Sequence, residues 1–392
     1  MTARSDYDVL IAGAGLVGLA LAAALAQSGL RVALADRAPI RSPEFDADAW
    51  DSRVYAISPG SAAFLHGLGA WQSLPPDRVS AVETMHVRGD GSSMLEFSAF
   101  ELGERALAWI VEESALRAAL VPCVHSSGVE VIGDATFSAL DWSADAGRLL
   151  LADGTAVRAR LIVAADGVHS WVREAAGMTA TPRRYDQTAV VANFTCERAH
   201  HGDARQWFRR DGGVLAWLPL PGRRVSIVWS APQAEAERLL ALPQPDLAAE
   251  VQAAGEAAFG ELVPLTASRG FPLRFLRLRT PIAHRLALVG DAAHGVHPLA
   301  GQGVNLGFGD ARALAEVLAS RGPVADPGAP MLLARYARLR AEPVLAMQAV
   351  TDGLVRLFGE PAPWARALRN FGMTAVDHLP AVKRLLAQPA LR

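Results

Sequence analysis

The sequence predicts an α/β fold, with a parallel-sheet domain that is discontinuous along the chain, an inserted β-rich domain and a C-terminal helical segment. Three observations predict it. The chain opens on a strand, a glycine turn, a helix and a second strand in "YDVLIAGAGLVGLALAAALAQSGLRVALADR". Two further short apolar runs, each ending in Gly with Asp, lie far downstream in "LIVAADGVHSWVRE" and "RLALVGDAAH". Between them are stretches of alternating polarity suited to antiparallel strands, and beyond Ala311 the pattern is helical.

In the opening unit, Tyr7 to Ala12 reads as a buried strand and Leu16 to Gln27 as a helix stopped by Ser28-Gly29. Arg31 to Ala35 reads as the next strand. Gly13, Gly15 and Gly18 occupy the first turn of this Rossmann-like βαβ unit. Gly13 makes the tight turn, Gly15 lets a pyrophosphate approach the backbone, and Gly18 lets the helix lie close on the strand. The helix N-terminus then faces negative charge. Asp36 closes the second strand about 20 residues on, where a carboxylate accepts hydrogen bonds from a ribose diol. The pattern GxGxxG alone is weak evidence; the strand before it, the helix after it and the acid beyond it make it specific. It does not separate NAD from FAD.

From about Pro75 to Glu104, "VETMHVRG" and "SMLEFSAF" alternate like antiparallel strands. "LAWIVEESALRAALVPCV" reads as a strand running into a helix. "EVIGDATFSALDWSADAGRLLLADGTAVRARLIVAADG" reads as several strands joined by Gly and Asp turns. A further strand-rich block runs from Thr188 to about Pro272, with a turn at Pro221-Gly222. We therefore assign residues 1–75, 105–180 and 273–330 to the dinucleotide domain. Residues 76–104 and 181–272 form the β-rich, substrate-binding domain, and 331–392 the helical region.

The second motif strand, Leu161 to Ala165, ends in Asp166-Gly167, with Ser170 and Arg173 entering a helix. Carboxyl ends of strands are where α/β sheets place ligand contacts, although an Asp-Gly strand end is also an ordinary turn. The third, Leu286 to Val289, ends in Gly290-Asp291, and the glycines of "LAGQGVNLGFGD" precede a helix beginning near Asn305. Three such ends dispersed over the chain suggest one extended ligand. A metal held by Asp291, His294 and His297 would need these ligands to converge, and Gly295 and Pro298 argue against a continuous helix that could bring them together. No metal is expected.

The net charge of −2 supplies no electrostatic footprint for nucleic acid. Cys123 and Cys196 match no metal or redox spacing and suit small buried side chains in a reducing compartment. The acidic start (Asp6, Asp8) is unlike a signal peptide, so a cytoplasmic protein is expected.

Taken in order, "GAGLVG", "DSRVYAIS", "ADGVHSWVR" and "GDAAHGVHPLAGQGVNLG" resemble the single-component FAD-dependent aromatic hydroxylases, and among them most closely the ubiquinone-biosynthesis hydroxylases. The resemblance covers essentially the whole chain, including the tail "GLVRLFGEPAPWARALRNFGMTAVDHLPAVKRLL". It implies that Gly13, Gly15 and Gly18 hold the FAD pyrophosphate and Asp36 the adenosine ribose. Arg53 would reach the diphosphate as a cation. Asp166, with Gly167, would serve FAD and the approach of NAD(P)H, and Asp291 the ribityl chain. Gly301, Gln302, Gly303, Val304 and Asn305 would aim N–H groups at the pyrimidine edge, where a helix N-terminus stabilises the anionic reduced flavin. Two positions depart from the family: Asp36 stands where Glu is more frequent, and Glu113 where Asn is common. The first keeps a carboxylate; the second is given no role.

The implied reaction uses NAD(P)H and O₂ to hydroxylate a phenol ring, most readily a polyprenylated phenol on the way to ubiquinone. With one GxGxxG, NAD(P)H is expected to visit a surface groove. No general base stands out: His294, His297 and Tyr185 are visible but read as structural. Pro298 fits a position lining the flavin's reactive face, so His297 and Pro298 are the catalytic candidates. Trp207, Trp217 and Trp229 would line an apolar pocket or form plain core. The tail, with Arg356, Arg366, Arg369, Lys383 and Arg384, suits a helix packed on the flavin domain. It also suits a peripheral membrane contact or a contact within a quinone-biosynthesis complex. Two alternatives stand beside this reading. One is a hydroxylase of a soluble aromatic acid, clamped by Arg205, Arg209 or Arg223; the other is a flavin-bound, non-catalytic subunit.

Overall fold

Each apolar run that ends in a glycine motif becomes a strand of one sheet. Leu286–Leu288, Ala156–Ala164, Tyr7–Ala12, Val32–Ala35 and Glu130–Ile132 lie side by side in that order, all parallel. This computed structural model describes residues 6–43, 49–91, 93–297, 301–322, 324–360, 362, 369–370, 372–373, 376–377 and 379–391. The strands are apolar on both faces because both faces are covered. Val9, Ile11, Leu161 and Val163 pack under the helices Leu16–Ala26, Glu113–His125 and Gly303–Ala319. Leu10, Ala12, Ile162 and Ala164 pack under the antiparallel strands Phe137–Trp142 and Gly147–Leu151 and the short helix Trp171–Ala175.

The alternating segments build a second sheet. Its order is Leu262–Pro264, Ala180–Cys196, Arg224–Pro232, Val214–Leu220, Asp203–Phe208, Thr84–Arg88, Met94–Ser98, and Arg269–Leu278 also pairs with Ala180–Cys196. The expected turn at Pro221-Gly222 joins Val214–Leu220 to Arg224–Pro232. A three-stranded sheet of Val54–Ile57, Ala108–Glu112 and Val79–Val82 stands between the two: Val54, Ala56 and Ile110 pack on Ala204, Leu218 and Leu220.

Past Ala311 the chain is helical as expected, in Gly303–Ala319, Pro330–Gly359 and Pro380–Leu391. The first begins two residues earlier than the sequence suggests. Gln302 is its N-cap and its C=O accepts from the Leu306 N–H at 3.0 Å, which draws Gly303 and Val304 into the first turn. The tail is fastened to the second sheet: Phe358 stacks on Phe208 at 3.6 Å, and Arg369 forms a buried ion pair with Asp90. No helix among the described residues is long and apolar enough to cross a membrane.

Candidate cofactor and substrate site

Because the three motif strands are neighbours, their turns meet at one sheet edge. Gly13 has φ +110°, and a Cβ there would run into the carbonyl of Ala165, at the end of the second motif strand. A Cβ on Gly18 would strike the Gly13 carbonyl. On the far side, Gly290 and Gly307 both face Val17, so the third motif packs against the first turn of the opening helix. Arg173 closes the set: Nη1 donates to the Ala292 carbonyl and Nη2 to the Val168 carbonyl, each at 3.0 Å, tying the second motif to the third.

The carboxylates expected to face a ligand sit along this edge. Asp36 accepts from the Ala14 N–H at 2.6 Å and the Ala38 N–H at 2.8 Å. Asp166 accepts from the Val172 N–H at 3.1 Å, while its Oδ1 is buried without a hydrogen-bond partner among the described residues. Burial pushes the Asp166 carboxyl up, against the hydrogen bonds of Ser170 and Val172. Asp291 is exposed, with protein close around its carboxyl. Desolvation raises its carboxyl, opposed by His294 and Arg53. Arg53 is close enough to act on it electrostatically, with Tyr55 and Phe271 rings 5.5 and 5.4 Å from the guanidinium. Its burial works against the charge, but Tyr55, Glu113, Asp291 and Asp51 outweigh that and hold it above its ordinary value.

Gly301 takes φ +61° over Ala56, and the helix from Gly303 starts beside it. Asn305 contributes more than a backbone N–H. Its Oδ1 accepts from the Ser58 N–H at 3.0 Å, and Nδ2 donates to the Ala56 carbonyl at 2.8 Å. It thus stitches the third motif to "DSRVYAIS", a link the sequence reading did not foresee. Pro298, Leu299 and Ala300 lie outside the described residues.

The two histidines have separate commitments. His294 Nε2 meets Asp310 Oδ2 at 2.6 Å; Asp310 also accepts from the Gly290 N–H and from Arg340 Nε at 2.6 Å. Burial pushes the Asp310 carboxyl up, yet His294 and Arg340 outweigh it and leave it below its ordinary value. His297 is buried against Tyr185, ring centroids 4.9 Å apart. Gln187 Nε2 donates to the Gly212 carbonyl, so its Oε1 must accept from His297 Nε2–H at 3.0 Å. Nδ1 is left with a buried lone pair. Desolvation lowers this imidazole to about 4, so it is neutral at physiological pH.

The second sheet supplies the facing wall, and register decides which side chains line it. Val191, Val228, Ala216 and Gln206 lie in one cross-strand row, and Asn193, Ser226, Leu218 and Ala204 in the next. These rows look toward the motif edge: Asn193 Nδ2 donates to the Asp51 carbonyl at 2.8 Å, and Leu218 and Ala204 pack on Val54 and Ala56. Trp207, Trp217 and Trp229 have the opposite parity. They pack under the helices Gln233–Ala241 and Gln244–Ala254 with Leu239, Leu247 and Val251. The tryptophans are therefore plain core, and the pocket reading is overturned. Arg205 shares that outward parity, over Phe259, and Arg209 points there too, over Trp229. Arg223 is exposed in the hairpin turn. A cavity of about 30 Å³ beside His86, Arg88 and Trp207 is also on this outer face, away from the motif edge.

Beneath Arg53 lies a pair the sequence reading missed. Arg78 Nη1 and Glu112 Oε2 are 3.0 Å apart with side chains 2% and 1% exposed, and Glu112 Oε1 accepts from the Asp51 N–H. Nothing in a single sequence separates Glu112 from Glu113. The tail cations mostly serve the fold: Arg356 pairs with Asp352, Lys383 with Asp377, and Arg384 donates to the Glu101 carbonyl. Arg366 lies outside the described residues.

Residues 6–351 match the family model described as FAD binding domain. The chain is 37% identical to the ubiquinone hydroxylase UbiL of Rhodospirillum rubrum over 98% of this chain and 89% of that protein. It is 33% identical to the 3-demethoxyubiquinol 3-hydroxylase of Escherichia coli over 98% of each. Among solved structures, PqsL of Pseudomonas aeruginosa in complex with 2-aminobenzoylacetate superposes with a TM-score of 0.76, at 26% identity, over 93% of this chain and 99% of that one. With three glycine motifs gathered at one parallel-sheet edge and a matching family model over most of its length, the chain belongs to the FAD-binding family of flavin-dependent aromatic hydroxylases.

Proposed function

We propose that this hydroxylase acts on an uncharged, prenylated phenol in ubiquinone assembly. The observation that carries the choice of substrate is the polarity of the facing wall. Across the central strands its inward rows are apolar or neutral, with cations only at their margins, where Arg269 is exposed opposite Val191 and Arg224 lies over Trp50, while Arg205 and Arg209 turn to the opposite face. A benzoate held over those central rows would lack an adjacent counter-charge, whereas a phenol with a lipid tail needs none. The UbiL and 3-demethoxyubiquinol 3-hydroxylase relatives, whose names give ubiquinone chemistry, point the same way.

The site residues fit FAD on grounds of their own. Gly15 has φ −69°, which any residue adopts, and a Cβ there would meet nothing within 4 Å among the described residues beyond its chain neighbours; the same space is open at Gly303. Neither glycine is required by the chain's own packing, which suits a backbone lying against a ligand. The unpartnered Asp166 Oδ1 suits a ligand donor. Bound here, FAD supplies the redox chemistry, taking electrons from NAD(P)H and activating O₂. In this reading Gly13, Gly15 and Gly18 shape the diphosphate loop, Asp36 takes the ribose, and Arg53 offsets phosphate charge. Asp166 serves FAD and the approach of NAD(P)H, Asp291 holds the ribityl chain, and the N-terminus of the helix Gly303–Ala319 offers N–H groups to negative charge on the ring. In this reading residues 1–75, 105–180 and 273–330 carry the cofactor and 76–104 and 181–272 the substrate, except that the strand Arg269–Leu278 stays with the second sheet across the boundary at 273 and Val79–Val82 joins the three-stranded sheet.

For NAD(P)H, Arg274 Nη1 donates to His169 Nδ1 at 3.4 Å at the exposed end of the Asp166-Gly167 turn, and this guanidinium is the cation on which a phosphate would land. The helix Pro330–Gly359 exposes Leu339, Leu345 and Val350 near Arg335 and Arg338, a surface we assign to a membrane or to a quinone-biosynthesis complex. The deciding experiment is a quinone profile by mass spectrometry after deletion of the gene in its host. Loss of ubiquinone with accumulation of a prenylated phenol lacking one oxygen supports the reading. An unchanged quinone pool, with NAD(P)H oxidation by purified enzyme stimulated by simple hydroxybenzoates, overturns it in favour of a soluble acid.

A further inference from the structure

Arg53 is the cation that "DSRVYAIS" delivers to the cleft, and its guanidinium already faces an anion. Nη1 lies 3.0 Å from Glu113 Oε2, with the side chains 45% and 31% exposed. The backbone brings the two together by construction. The Glu113 N–H donates to the Arg53 carbonyl at 2.9 Å, the Arg53 N–H to Asp51 Oδ1 at 2.9 Å, and the Ser114 N–H to Asp51 Oδ2 at 3.3 Å. Asp51 is anchored in turn to the buried Glu112–Arg78 pair. Glu113 is the first residue of the helix Glu113–His125, where an anion is favoured. Its carboxylate is thus presented to Arg53, yet it is long and exposed enough to turn away. Asp51 and Asp291 add negative charge around the same guanidinium, so Glu113 is the carboxylate in contact and two more act on it from nearby, where in this reading an anionic diphosphate enters.

We propose that Glu113 is a built-in counter-anion: it holds Arg53 in the cofactor-free protein and is exchanged for the flavin diphosphate on binding, so that it weakens and tunes this chain's affinity for FAD. The inference rests on the reading that Arg53 meets that diphosphate. It gives Glu113, where resembling hydroxylases commonly carry an uncharged Asn, a role as a positioning residue rather than a catalytic one.

The test is a fluorescence titration of cofactor-free protein with FAD in wild type, Glu113→Gln, Arg53→Ala and the double variant, with Glu113→Asn as a second neutral form should the Gln variant misfold. Glu113→Gln should tighten FAD binding about tenfold, equivalent to about 1.4 kcal/mol. In the Arg53→Ala background the same change should matter less than about threefold, because the exchange partner is gone. Unchanged or weaker binding by both neutral variants overturns the proposal while leaving the flavin reading intact. Equal tightening with and without Arg53 also overturns it, since that is plain repulsion and not exchange. Wild type that takes up no FAD at all sinks the proposal and the flavin reading together.

Discussion

Replacing Gly15 by Ala separates a glycine kept for a ligand from a glycine kept for the fold. At Gly15, φ −69° and ψ 178° are open to alanine, and among the described residues the added methyl meets nothing within 4 Å beyond its chain neighbours. Gly15 is also the N-cap of the helix Leu16–Ala26, where alanine caps less well by several tenths of a kcal/mol, about offset by the lower entropy of the unfolded alanine chain. The cofactor-free Gly15→Ala protein should therefore unfold within about 1 kcal/mol of wild type. A methyl intruding on a packed diphosphate costs about 1–3 kcal/mol, so FAD affinity should fall roughly 5- to 150-fold. Gly13→Ala has the opposite profile: φ +110° and the Ala165 carbonyl make the fold itself lose more than about 2 kcal/mol, with or without flavin. Denaturant unfolding of the cofactor-free proteins and FAD titrations would read both effects. Undiminished FAD binding by Gly15→Ala would refute the placement of the diphosphate on this loop, and a large loss of cofactor-free stability would show a structural role that the open space denies.

Three further outcomes follow from the same geometry. Asp310→Ala strands Arg340 and His294 in the core and should cost about 3–5 kcal/mol in urea unfolding; a cost below about 1 kcal/mol would mean the cluster is not holding the third motif. His297 has a folded value of about 4 against an unfolded value near 6.5, a depressed base. The unfolded state therefore binds the extra proton in that window, and the folded protein loses up to about 3 kcal/mol as pH falls from about 6.5 to about 4. His297→Gln should remove that part of the acid slope, and an identical slope in the variant counts against a buried neutral ring. Arg274→Ala should raise KM for NAD(P)H about tenfold with kcat nearly unchanged, and an effect on kcat alone would place Arg274 elsewhere in the cycle.

What could be read from the letters is what a ligand or a tight turn imposes on the backbone. Gly13 and Gly18, Asp36 and the Asp-Gly strand ends were legible because a turn between parallel strands tolerates few residues there, and strand adjacency follows once each is an apolar run needing cover on both faces. What stayed hidden depends on pairing across distance. The three tryptophans alternate with Val228, Ala216 and Gln206 along the same strands, and period two says that these sets oppose each other without saying which meets the cofactor domain. That choice is made by the helices Gln233–Ala241 and Gln244–Ala254, which cover the tryptophan side. The bonds of Arg173 and Asn305 were likewise unreadable, since each reaches another motif, at separations of 119 and 249 residues, and Asp310 ties Gly290 of its own motif to Arg340 in the following helix. Gly13 and Gly15 make the limit plain. They are the same letter two positions apart in one motif, but a carbonyl crowds the first and open space faces the second, so only the structure separates the glycine the fold requires from the glycine the fold leaves open.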